Sequence, residues 1–123
     1  MLAVRLVTPL NPVQIEQAIR TCADRIHRGV VIVSNAEAAA RKARRDYDLA
    51  YALAYKHSDG PAHERRYAAE IDTAGERAAA DDAELAFRHA ERTAKAVEAE
   101  LRAWQSVGAS VRMMYGVETG GTR

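Results

Sequence analysis

The residues best suited to chemistry lie in the run Arg41-Lys42-Ala43-Arg44-Arg45, followed at four-residue steps by Tyr47, Tyr51 and Tyr55. Guanidinium and ammonium groups neutralise phosphates, and tyrosine rings stack on unpaired bases, so Arg41, Lys42, Arg44 and Arg45 form a candidate single-strand nucleic-acid surface. A second reading is preferred. Acidic residues crowd the window Glu70, Asp72, Glu76, Asp81, Asp82 and Glu84, where Arg77 is the one base. A chain folded back on itself would bring that window against the basic run, and the tyrosines would then pack on the opposite arm.

Other chemistries find less support. The sequence has no phosphate-binding glycine loop, no GxSxG elbow and no HExxH pair, so no catalytic residue and no cofactor is assigned and the chain is expected not to be an enzyme. His57, Asp59, His63 and Glu64 gather in sequence, yet no two histidines stand four apart on one helical face, and no metal is expected. His89 reads as a polar group within a core. Near the C-terminus, Trp104, Val107, Val111, Met114 and Tyr115 are the expected protein interface, with Gln105 and Met113 beside them. Trp, Tyr and Met favour such contacts.

Composition bounds these readings. The 123 residues suit one domain, and 18 Lys plus Arg against 17 Asp plus Glu give a net charge of +1, too little to draw the whole molecule to nucleic acid or an anionic membrane. The single cysteine, Cys22, excludes an intrachain disulfide and is expected to be a small core residue in a reducing, cytoplasmic setting. No apolar run reaches the roughly 20 residues of a membrane span. The start MLAVRLVTPL, broken by Arg5, lacks the order of a signal peptide. The chain holds 26 alanines, with prolines only at 9, 12 and 61, and this suits long helices.

Asn11 and Pro12 mark a helix start, and the stripe Ile15, Ile19, Cys22, Ile26, Val30, Val33, Ala36, Ala40, Ala43, Tyr47, Tyr51 and Ala54 continues from it. The segment RGVVIVSNAE, residues 28–37, contests this. Gly29 before four β-branched residues reads locally as a helix stop and a strand, and Ser34 with Glu37 as a new cap. The stripe nevertheless passes through without a slip, and a strand at 30–33 could pair only with residues 2–7. An isolated two-strand unit is poorly supported. The continuous helix is therefore expected, with a small α+β fold carrying short strands at 2–7 and 30–33 as the alternative.

Ser58-Asp59-Gly60-Pro61 forms the clear turn. Beyond it Tyr67, Ile71, Ala74, Ala78, Leu85, His89, Val97, Leu101, Trp104, Gly108, Val111 and Tyr115 mark a second helical stripe. Residues 12–57 hold eight basic and five acidic side chains, residues 58–115 eight and eleven, so the arms carry opposite surpluses. Counting outward from the turn sets Ile15 opposite Trp104, Cys22 opposite Val97 and Val33 opposite Ala86. The expected fold is all-α: an extended segment at 1–11, a long antiparallel, coiled-coil-like helical hairpin over 12–115 and a flexible tail at 116–123. Its alanine-rich seam buries little area, so completion by a homo-oligomer, most simply a dimer, is expected.

The run RRDYDLAYALAYKHSDGPAHERR and the ending ELRAWQSVGASVRMMY resemble short uncharacterised helical proteins of tailed bacteriophages. The likeness spans about residues 11–115, and RGVVIV departs from the more polar run such proteins carry there. The resemblance implies a phage accessory or adaptor linked to DNA recombination or replication, in the host bacterial cytoplasm, working through helical contacts with a phage or host protein. The alternatives to it are a host-directed inhibitor that binds a bacterial protein through the Trp104 to Tyr115 surface, or a small virion-assembly or scaffold component. It points to no catalytic residue.

Overall fold

The computed structural model of the chain describes residues 10–120 and is all-helical over them: α1 Pro12–His57, α2 Ala62–Asp72 and α3 Ala74–Gly120. The calls on residues 1–9 and 121–123, including the strand at 2–7, lie outside the described residues. Val30 to Val33 are helical, so the continuous-helix reading of RGVVIV holds and the strand alternative at 30–33 does not. Packing overrides the modest helix preference of valine and isoleucine when both neighbouring segments are already helical. At the far end, α3 runs past Tyr115 to Gly120.

Local chemistry sets each boundary. Asn11 and Gln14 cap α1 reciprocally, the Gln14 N–H donating to Asn11 Oδ1 at 2.9 Å and the Asn11 N–H to Gln14 Oε1 at 3.1 Å. At the other end the Ser58 hydroxyl donates to the Ala54 carbonyl at 2.7 Å and its N–H to Tyr55. Gly60 reverses the chain at φ 101°, a conformation that disfavours any side chain. Pro61 then opens α2, its carbonyl accepting from Glu64 and Arg65.

The chain divides into two compact units. A terminal unit joins α1 up to Arg28 with α3 from Ala94, and a turn unit comprises Gly29–Thr93. In both, the enclosed positions advance by alternating steps of four and three: Cys22, Ile26, Gly29, Val33, Ala36, Ala40, Ala43, Tyr47, Ala50 and Ala54 on α1, and Ala80, Ala83, Phe87, Ala90, Ala94, Val97, Leu101, Trp104, Gly108 and Val111 on α3. This is the heptad seam of a coiled coil, in which the enclosed residues are the a and d places.

The seam corrects the expected stripes in two ways. On α1 it passes through Gly29, while Val30 is 62% exposed. In the turn unit Tyr67, Ile71 and Leu85 are exposed, as are Ala74, Ala78 and His89, and their expected places are taken by Ala69, Thr73, Ala80 and Phe87. His89 is thus not a core group.

Register also differs from the count outward from the turn. Ile15 meets Gly108 instead of Trp104, and Cys22 meets Glu100 instead of Val97, close to one helical turn further along α3. Thr73, at φ −110° and ψ 17°, separates α2 from α3, its buried hydroxyl donating to the Ala69 carbonyl at 2.6 Å, while the buried positions Ala69, Thr73 and Ala80 keep one phase through the interruption.

Candidate interaction surfaces

The basic run lies on α1 in the turn unit, and its partners are on α1 itself. Arg41 pairs with Glu37 at 3.4 Å, Lys42 with Asp46 at 2.8 Å and Arg44 with Asp48 at 3.5 Å. The expected pairing across the arms with the acidic window is therefore corrected. Carboxylates one turn away reach these bases before those of a second helix do. All six side chains are largely exposed, so the pairs add little stability but do cancel local charge.

Arg45 takes no ion pair among the described residues. It borders a shallow groove of about 460 Å³ with Glu37, Ala40, Arg41, Arg44, Glu84 and Phe87. Two glutamates among three arginines leave that groove nearly balanced. Arg88 pairs with Glu84 at 3.0 Å on the same side. The tyrosines do not form an open stacking ladder: Tyr47 and Tyr51 meet edge to face at 6.2 Å, Arg44 covers Tyr47, and Arg65 lies 4.9 Å over Tyr55. A base would have to displace these contacts.

The heptad places separate two flanks of the turn unit. Glu37, Arg44 and Glu84 occupy e places and line the groove together, with Arg41 and Arg88 at b places beside them. The opposite flank carries g and c places: Ile32, Ala39, Lys42, Asp46, Leu49 and Leu53 from α1, with Gly75, Ala79, Asp82 and Ala86 from α3. Ile32 is 59% exposed, Leu49 62% and Leu53 47%. One flank is thus a lattice of ion pairs. The other is aliphatic, with one ion pair, Lys42–Asp46, at its middle. Ile71 and Leu85 point away from the seam altogether.

In the terminal unit the predicted interface residues follow one stripe of α3 but differ in exposure. Trp104 and Val111 are half-enclosed along the seam, whereas Val107, Met114 and Tyr115 are exposed. Gly108 admits Ile15 against the backbone, and a small cleft of about 170 Å³ opens there between Pro12, Ile15, Ile19 and Val111. On this unit's other side Arg25 binds Glu100 at 2.9 Å, and Glu100 lies beside the enclosed Cys22 thiol. Burial, then Glu100, push that thiol's pKa upward, against a smaller opposing effect of Arg25.

Among the described residues no three His, Cys, Asp or Glu side chains converge as a metal site, and His57, Asp59, His63 and Glu64 stay apart. No described helix is long and apolar enough to cross a membrane. The signal missed by reading the sequence is Phe87, a lone aromatic in an alanine field that marks the true phase of α3. Comparison with family models, curated proteins and solved structures finds no match to this chain.

Proposed function

We propose that this chain is a non-enzymatic adaptor that holds another protein through its exposed helical faces, within phage DNA recombination or replication. The observation that carries the adaptor reading is the placement of apolar side chains in the turn unit. Alanines line the seam, while Val30, Val31, Ile32, Leu49, Leu53, Ile71 and Leu85 face outward. Exposed aliphatic sets of this extent on a charged background are a mark of protein contact. The phage setting is supported by the sequence resemblance, and the internally paired bases favour protein over nucleic acid as the partner.

A photo-crosslinking amino acid placed at Leu85 or Ile71 tests this in phage-infected bacteria. A discrete adduct with one protein, much stronger than from the exposed polar position Glu91, is the expected result. No adduct, or equal labelling from Glu91, overturns the adaptor reading. An adduct with a protein that has no part in DNA metabolism overturns the setting and leaves the adaptor.

A further inference from the structure

We infer that the aliphatic flank of the turn unit is covered by a second copy of this chain, in a twofold, antiparallel four-helix arrangement with the two turns at opposite ends. This goes beyond the adaptor reading and takes Ile32, Leu49 and Leu53 from its outward set, leaving Ile71 and Leu85, which lie off this flank, to the adaptor contact. A twofold contact must be self-complementary, and the flank has matched aliphatic ends and matched alanines, although Leu49 has no counterpart on it. Ile32 and Leu53 stand equally far from the point between Lys42 and Ala43, as do Ala39 and Asp46. On α3, Ala79 and Ala86 stand equally far from the point between Asp82 and Ala83.

Those two centres lie within about one turn of each other along the hairpin, because Ala40 and Arg44 of α1 border one groove with Glu84 and Phe87 of α3. A dyad through this level, perpendicular to the helices, sets Ile32 of one copy against Leu53 of the other at both ends. It also crosses Ala79 with Ala86, where small side chains let the second pair of helices approach closely. Charge is mixed at the dyad: Lys42 of each copy comes within a turn of Asp46 of the other, in addition to the 2.8 Å pair within one chain, while the same axis brings Lys42 near its symmetry mate and Asp82 near its own.

Area agrees with this occupant. From Ile32 to Leu53 the flank is about 32 Å long at 1.5 Å per residue. Two helices abreast are roughly 20 Å wide, giving a footprint on the order of 600 Å² before side-chain relief, near the ~800 Å² per partner of a stable interface. The seam beneath needs that cover. Its buried residues are Ala40, Ala69, Ala80 and Thr73, and no large side chain among the described residues is completely enclosed.

Sedimentation equilibrium of the full chain at tens of micromolar decides the point. The wild type is expected at twice the 13.5 kDa chain mass. The double variant Leu49→Glu, Leu53→Glu should dissociate with a Kd raised on the order of 100-fold or more, since Leu49 lies within the contact and Leu53 packs on Ile32 of the other copy at each end. Ile71→Glu with Leu85→Glu should remain dimeric. Because the first variant could lose helix as well as its partner, a second measurement leaves the aliphatic residues in place: with Cys22→Ala, a short bis-maleimide should link Lys42→Cys to its copy but not Ala78→Cys. A monomeric wild type, a dimer that survives Leu49→Glu with Leu53→Glu, or equal linking from Ala78→Cys overturns the inference.

Discussion

The two units share one heptad and fill it with different residues. In the terminal unit the seam holds Ile15, Ile19, Cys22 and Ile26 against Val97, Leu101 and Trp104, with Ile15 and Cys22 each 2% exposed. In the turn unit the enclosed residues are mainly alanines, joined by Tyr47 and Phe87, and the large aliphatic residues lie outside. One unit holds its helices by interlocking branched side chains. The other relies on close backbone approach and on tip contacts such as Arg65 on Tyr55 and the Lys56 carbonyl. Apolar area is therefore spent inside one unit and left available on the other.

The largest expected effect breaks the turn unit at its helix. Val31 is 60% exposed, so its side chain contributes little to the seam, and Val31→Pro acts on the backbone alone. It should remove an internal hydrogen bond and cost about 3 kcal/mol or more, read as lost helicity and a lower urea midpoint. Val31→Ala is the control and should be neutral or slightly stabilising. An unchanged midpoint for the proline variant would mean that residues 28–33 are not held as a helix.

Side-chain truncation sharpens the contrast between the seams. Ile15→Ala opens a cavity against Gly108 and should cost about 2 to 3 kcal/mol, toward the low end for such changes because half-enclosed neighbours can close on the gap. In the alanine seam the comparable deletion, Ala80→Gly, removes one methyl and should cost about 1 kcal/mol, mostly from helix propensity. Equal losses in denaturant unfolding would show that the seams do not differ as their residues suggest.

The glycines give a smaller, opposite effect. A Cβ on Gly29 meets nothing within 4 Å, so Gly29→Ala should stabilise by about 1 kcal/mol. A Cβ on Gly108 would stand 3.2 Å from Ile15 Cγ2, and Gly108→Ala should forfeit most of that gain. Thermal midpoints of the two variants, measured side by side, test the close approach at Ile15.

The sequence disclosed the hairpin but not its phase throughout. Asn11-Pro12 and Ser58-Asp59-Gly60-Pro61 are strong local signals, and the continuity of the α1 stripe through RGVVIV correctly outweighed its β-branched run. Reading failed where alanine fills both faces. Ala68 and Ala69, or Ala78, Ala79 and Ala80, offer no hydrophobic contrast, so Tyr67, Ile71 and Leu85 drew the stripe onto the wrong side. The interruption at Thr73 carries no proline signal, and only Gly75, two residues on, hints at it. The basic run was legible as charge. Its partners were missed because Glu37, Asp46 and Asp48 lie one turn away on the same helix, where a count of facing acids does not look.

The smallest effect belongs to Cys22 and reports on the terminal seam alone. Its thiol pKa is raised above the ordinary 9.0, first by burial and then by Glu100. A group whose pKa is higher folded than unfolded stabilises the fold while it stays protonated. That contribution is complete below the unfolded value and is lost as pH rises from about 9 through the higher folded value. Above pH 9 the wild type should therefore lose stability faster than Cys22→Ala, in which this ionisation is absent. Glu100→Gln removes the neighbouring carboxylate and leaves Arg25 free to favour the thiolate, so it should bring the thiol pKa down toward its ordinary value. Thiolate absorbance or alkylation rate against pH reads both changes. A native thiol that titrates at or below 9, or one unmoved by Glu100→Gln, would show that Cys22 is not enclosed against Glu100 as the terminal seam requires.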